Sequence, residues 1–329
     1  MRPIRQRQWQ LRATQPDPQV VDELAATLGI SQVLAQVLCL RNYATPDRAT
    51  RFLRDNLAAL PDPFLLPQMN AACARLYHAL TQAERIAVHG DYDVDGISGC
   101  ALLVESLRSF GASVDYHIPL RLKDGYGLSA AAIQQAAANG CSLIVSVDCG
   151  VSAHAEAHLA AELGLDLIIT DHHQPSDERP RCVALVNPHL PESRFPFADL
   201  AGVGVAFFLL IGLRQYLREQ GFFAQRTEPD LRQSLDLVAL GTIADIVPLT
   251  DVNRILVRVG LRLLAQGQRP GIAALTRVAG VKHMNSGVVG FRLAPRLNAA
   301  GRLEDAALGV RLLLGEPGDN VDDLAERLD

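Results

Sequence analysis

The chain has 329 residues, is 49% hydrophobic and 20% charged, and carries a net charge of −5. That length holds two domains or one large domain with appendages, and the composition is that of a globular enzyme with a large core. The acidic balance gives no support to a generally basic nucleic-acid binder. No apolar run reaches the roughly 18 residues of a bilayer-spanning helix, and no signal-type apolar stretch follows the basic N-terminus, so a cytosolic protein is expected.

Residues 1–70 are expected to form a helical and irregular N-terminal segment, with helical spacing over 22–29 and 33–40. Pro61, Pro63 and Pro67 then interrupt the chain. From about Ala71 helices alternate with short apolar strands. The strands are expected at 86–89, 114–118, 143–147, 167–170 and 184–187, and the helices between them at 71–82, 96–110, 129–138 and 153–163. Near-continuous apolar strands separated by helices predict an α/β fold with a doubly wound, mainly parallel five-stranded sheet. Ligands of such sheets bind beyond the carboxyl ends of the strands. The catalytic domain is expected over 71–250, and 251–329 reads as a helical region. Helices are predicted over 202–218, 231–243, 254–265 and 303–314. The six cysteines form no CxxC pair and sit in apolar surroundings, so reduced, buried thiols are expected.

Four segments carry the chemistry. The first strand runs into His89-Gly90-Asp91-Tyr92-Asp93-Val94-Asp95. Three carboxylates this close repel one another and lose hydration in a cleft unless cations neutralise them. An EF-hand loop is excluded, because its twelfth position, counted from Asp91, is Leu102. The strand over 143–147 ends in Asp148-Cys149-Gly150, where Asp148 alone would read as a helix N-cap. The strand over 167–170 ends in Asp171-His172-His173; one histidine can ligate a metal while its neighbour faces a substrate. Asp245 is a lone acid at an apolar helix end, preferred to Asp236 because its flanks are more apolar. Three strands of one sheet ending in ligand-type residues at the same edge point to a shared metal centre.

In this order DYDVDG, DCG, DHH and GTIADIVPL resemble the four metal motifs of the DHH phosphoesterase family. The longer wording is similar to that of its RecJ-type single-stranded-DNA exonucleases. It includes Arg121, Gly125-Tyr126-Gly127-Leu128, Asn187-Pro188-His189, the glycine-rich run at 201–206 and residues 295–303. The resemblance covers roughly residues 70 to 325. It implies that His89, Asp93 and Asp148 hold one metal and that Asp95, Asp148, His172 and Asp245 hold a second, with Asp91 beside both to ligate or orient. Imidazole and carboxylate ligands suit Mn2+ or Mg2+. Asp148, His173 and Asp91 are the expected catalytic residues, His173 contacting the phosphate or assisting the leaving oxygen. Arg121, Arg296, Asn298 and Arg302 are candidates for phosphate contacts; Ala299-Ala300-Gly301 allows close approach of the backbone to a phosphate. Tyr126 can stack on a base or pack in a glycine-flanked turn.

The resemblance further implies 5′-to-3′ hydrolysis of single-stranded DNA in repair and recombination. A repair helicase and a single-strand-binding protein are candidate partners, and no membrane partner is expected. RecJ-type enzymes resemble a two-lobed clamp. The last residues here read as the start of the connecting helix to an absent second lobe, with Leu324 and Leu328 expected to be exposed and in want of a partner. Competing readings are an oligoribonuclease, a cyclic-dinucleotide phosphodiesterase, a manganese pyrophosphatase and a catalytically dead DNA-binding scaffold. The last of these predicts eroded ligands, and the expected ligands are all in place.

Overall fold

The computed structural model describes residues 15–54, 56–120, 127–300 and 307–329. They fall into two compact units, divided between Ala59 and Leu60. The first holds α1 (Pro18–Leu28), α2 (Gln32–Leu40) and α3 (Pro46–Arg54). Asp17 and Ser31 cap α1 and α2 through their side chains, and Leu24, Ala35, Leu38 and Ala49 close a small core of their own.

The second unit begins with α4 (Met69–Thr81) and β1 (Arg85–Gly90), followed by α5 (Val94–Ser109) and β2 (Ser113–His117). Then come α6 (Ala130–Ala138), β3 (Cys141–Val147), α7 (His154–Glu162), β4 (Asp166–Thr170) and β5 (Ala184–Val186). The strands form one parallel sheet in the order β2-β1-β3-β4-β5. All five lie where the apolar runs predict them, within two residues at each end. Helices α6 and α7 pack on one face, over Ile144, Leu167 and Ile169, while α4, α5 and α8 cover the other. Burial on both faces explains why the strands read as continuous apolar runs instead of alternating ones.

A helical layer follows, comprising α8 (Gly202–Glu219), α9 (Leu235–Ala244), α10 (Asp251–Gln266) and α11 (Pro270–Val278). The helix predicted from residue 231 opens as a 3-10 turn, Leu231–Ser234, because the Asp230 side chain accepts from Arg232 N and caps that turn. Next, α12 (Ser286–Val288) passes through a π-helical turn, Val289–Leu293, into α13 (Ala294–Ala300); α14 (Leu308–Leu314) and α15 (Val321–Arg327) complete the layer. Helix α9 is buried on every side from Leu235 to Ile243 and packs on α5, α8 and α10. The expectation that Leu324 and Leu328 are exposed is overturned. They are 4% and 3% exposed, because α15 folds back onto α11 and α14. Among the described residues no single helix is long and apolar enough to cross a membrane, and no disulfide joins the six cysteines.

Candidate metal centre

The sheet register brings three strand ends together. Gly90 lies opposite Val147, and Val147 lies opposite Thr170, so the residues that follow, Asp91, Asp148 and Asp171, emerge side by side. The strand order reverses between β1 and β3, which opens a crevice at that edge. Asp148 is held there by its own N–H, which donates to Thr170 O at 2.9 Å, and its φ is +63°. Aspartate tolerates this left-handed conformation better than most residues.

Each carboxylate has a local anchor. Asp93 caps α5, its Oδ1 accepting from Asp95 N at 2.9 Å and Gly96 N at 3.1 Å. Asp95 sits at the N-terminus of α8, accepting from Gly202 N at 2.6 Å and Val203 N at 3.0 Å; the helix dipole there favours an anion. Glycine is required at two close approaches. A Cβ on Gly202 would lie 2.6 Å from Asp148 Cβ, and one on Gly241 would lie 2.6 Å from Asp95 Oδ1. Asp245 terminates α9. His172 Nε2 then lies 3.1 Å from Asp148 Oδ1, 3.7 Å from Asp245 Oδ2 and 4.0 Å from Asp95 Oδ2. Three groups result, each with ligand atoms within 4.8 Å of one another: Asp91, Asp93 and Asp148; Asp95, His172 and Asp245; Asp148, His172 and His173.

Burial sets the electrostatics. It pushes Asp91 up to about 7, with repulsion from Asp93 adding to it. Asp245 is raised to about 6 by burial and then by Asp93. Asp95 and Asp148 are held well above the usual carboxylate range by burial, Asp245 adding most to the first and Asp95 to the second. Burial, then His173, lowers His172 to about 4, which leaves its imidazole neutral and a ready ligand. Asp91 Oδ2 is buried without a hydrogen-bond partner. These observations fit a site for divalent cations, which would take the place of the protons. Cys149 is buried alongside, but burial and then Asp171 push its thiol well up, so it stays protonated. Oxygen and imidazole donors without a thiolate suit Mn2+ or Mg2+ better than structural zinc.

Asp171, quoted in the sequence motif without a role, proves to organise the loop. It accepts from Val151 N at 2.9 Å, His172 N at 2.7 Å, His173 N at 3.1 Å and His173 Nδ1 at 2.7 Å. Although burial pushes Asp171 upward, these bonds hold it below the usual range, and its bond to His173 raises that imidazole. Asn187, fully buried at the end of β5, donates to His173 O at 2.9 Å and accepts from His189 N at 2.8 Å. An aspartate hooked onto the backbone two residues on is a common turn device, and that local pattern in Thr170-Asp171-His172-His173 was the available signal.

Other expected site residues lie differently. His89 is outside the three groups; its ring stacks on His117 and its Nε2 lies 2.9 Å from Gly127 O. Asp236, the alternative to Asp245, is paired with Arg269 at 2.7 Å. Asn298 is engaged within the fold. It lies in α13, and its Oδ1 accepts from Val94 N at 3.1 Å, which satisfies the first turn of α5. Arg296 is turned to the end of the chain, its Nε donating to Asp329 at 2.7 Å and its Nη1 to Arg292 O. Arg121, Tyr126 and Arg302 lie outside the described residues.

Comparison with known proteins bears on the same segments. Residues 85–242 match the DHH family, N-terminal domain. The single-stranded-DNA-specific exonuclease RecJ of Escherichia coli (strain K12) is 48% identical over 260 residues, 77% of this chain and 45% of that protein. RecJ of Bacillus subtilis (strain 168) is 41% identical over 323 residues, 98% of this chain and 39% of that protein. The chain thus spans about two fifths to one half of these relatives' length. Among solved structures, RecJ from Thermus thermophilus in complex with Mn2+ superimposes with a TM-score of 0.80 at 32% identity, covering 96% of this chain and 44% of that one. A manganese-bound exonuclease RecJ superimposes with a TM-score of 0.72 at 38% identity, covering 83% and 66%.

Proposed function

Because the chain belongs to the DHH family, we propose that it is the catalytic portion of a metal-dependent phosphodiesterase that removes nucleotides from single-stranded DNA in the 5′-to-3′ direction, in the cytoplasm. The observation that carries this reading is the convergence of acids from β1, β3 and α9 with the imidazoles after β4 in one buried crevice.

Two divalent cations, Mn2+ or Mg2+, would be held by Asp91, Asp93 and Asp148, with His89 nearby, and by Asp95, His172 and Asp245, with Asp148 common to both sets. When bound, such cations activate water and neutralise charge on a phosphoryl group. The protein's own share is positional. The N-terminus of α8 fixes Asp95. Asp171 locks Nδ1 of His173 and raises its proton affinity, so that His173 would donate from Nε2 to the leaving oxygen. Asp91, whose Oδ1 accepts from Gly127 N at 3.4 Å, would ligate or orient beside both sets. Arg121, Tyr126 and Arg302 remain the candidates for contacts to the strand. A repair helicase and a single-strand-binding protein fit as partners of such an activity.

The test is degradation of 5′-labelled and 3′-labelled single strands with Mn2+, with Mg2+ and with chelator. Mononucleotide release from the 5′ end that depends on the cation is expected. Release from the 3′ end, or release undiminished by chelator, overturns the reading.

A further inference from the structure

A cavity of about 320 Å³ adjoins the carboxylate cluster on the α6–α7 side of the sheet. Asp171 and His173 line it, and His173 Nδ1 lies 4.0 Å from Asp148 Oδ1. The imidazole therefore borders both the cavity and the cluster. The cavity's volume is at the small end of ligand pockets, which run roughly 300–1,000 Å³. It has room for one flat ring system, not for a run of nucleotides.

The lining decides what kind of group fits. Leu128 and Val151 are each 6% exposed and belong to the packed core beneath α6 and α7, so they give the cavity a rigid apolar wall. Ser152, Glu156 and Gln174 supply polar groups, and the Gln174 amide is held in place by His189 at 3.1 Å. Among the described lining residues there is no arginine or lysine, whereas two, Glu156 and Asp171, are carboxylic acids. Apart from His173, which borders the cluster, these residues offer a phosphate no cationic side chain. An uncharged ring with an apolar face and polar edges matches the lining, and every nucleobase has that form.

We propose that this cavity binds the base of the nucleotide whose phosphate reacts at the carboxylate cluster. The inference rests on the phosphodiesterase reading of that cluster and adds a subsite to it. His173 stands between the two, where the sugar of such a nucleotide would pass. The apolar wall grips the faces common to all bases, so the subsite distinguishes base from no base, not one sequence from another.

Binding is the test, because it separates this inference from the catalytic one. The affinities of thymidine 5′-monophosphate and 2-deoxyribose 5-phosphate are measured by calorimetry with Mn2+ present. The nucleotide should bind about tenfold more tightly. Ser152→Trp, at an exposed position on the rim, should fill the opening and erase that advantage. Equal affinities in the wild type, no measurable nucleotide binding, or an advantage that survives Ser152→Trp would each overturn the proposal. Hydrolysis of labelled strands is read separately. Base-dependent binding without hydrolysis leaves the subsite standing and sinks the phosphodiesterase reading; hydrolysis with base-independent binding does the reverse.

Discussion

Helices α5 and α9 lie side by side and carry acids at both ends of their contact, yet the two ends treat them differently. At one end Glu105 and Asp236 share Arg269, whose Nη1 reaches Glu105 at 2.6 Å and whose Nε reaches Asp236 at 2.7 Å. The same guanidinium donates to Leu313 O, and Ser234 donates to Glu105 at 2.6 Å. At the other end Asp95 and Asp245 meet Asp91, Asp93 and Asp148, and the ion pairs there among the described residues run to the imidazoles of His172 and His173. Burial pushes carboxyls upward at both ends. Arg269 overrides it and holds Glu105 below the usual range, whereas Asp95 and Asp148 stay far above it. Where an acid serves the fold, the chain supplies its own cation. Where several acids are gathered with imidazoles as their ion-pair partners among the described residues, the arrangement suits a cation from outside.

The largest effect that would sharpen this contrast is on catalysis. Asp148→Asn keeps the volume and removes a charge shared by two of the three ligand groups. Hydrolysis with saturating Mn2+ should fall by about 10³-fold or more, while the metal-free chain remains at least as stable at pH 8. Retained hydrolysis, or collapse of the fold, would contradict the division of roles. The clamp end should behave oppositely. Arg269→Met leaves two acids without their partner, and urea unfolding should show a loss of roughly 3 kcal/mol. A loss under about 1 kcal/mol would mean that Arg269 contributes little and that the two ends are not the contrasting pair they look.

The sheet and the acidic end were legible in the sequence because both are local. Each strand is a short apolar run, and the acids follow directly on β1 and β3. Asp245 could be chosen over Asp236 from its flanks alone. The clamp was not legible, since Arg269 lies 33 residues from Asp236 and 164 from Glu105. The bond from Val94 to Asn298 spans 204 residues. It places Asn298, a candidate for a phosphate contact, against the first turn of α5. Helix α11 was hidden by Pro270-Gly271, which reads as chain punctuation although proline suits the first turn of a helix. Leu324 and Leu328 have the same apolar spacing whether α15 extends outward or folds back, and only the packing on α11 and α14 decides.

A smaller effect separates the two ends by pH. Unfolded carboxylates titrate near 3.9–4.3. Asp91 and Asp245 are raised to about 7 and about 6 in the folded chain. Their contribution is therefore complete below about pH 3.9 and is lost as pH rises through those folded values. Glu105 has the opposite sign; its contribution is present above about 4.3 and is lost as pH falls through its lowered value. The metal-free melting temperature should accordingly peak near about pH 4 and decline by several degrees toward about pH 7. Excess Mn2+ should remove that decline, because it binds the deprotonated acids. A metal-free curve that is flat between about pH 4 and about pH 7 would show that the cluster carries no such burden.

The smallest effect concerns backbone strain, which falls at the metal end of α9. The helix enters from Ser234 and Leu235 with negative φ at both, but it leaves Asp245 through Ile246 at φ +64°. A β-branched residue in the left-handed region is a genuine outlier, costing about 1–2 kcal/mol. Its side chain is 88% exposed, so burial returns nothing for that cost. Ile246→Asn keeps a residue that adopts this conformation readily. The metal-free chain should gain about 1 kcal/mol in urea unfolding. Manganese affinity should stay within about twofold, because Asp245 N still donates to Gly241 O at 2.9 Å and holds the carboxylate at the helix end. A stability gain accompanied by a large loss of affinity would show that the strained turn itself aims Asp245 at the cation. A loss of stability would show that the isoleucine is covered in solution, which would make the rim beside Asp245 a contact surface and not merely the exit of a helix.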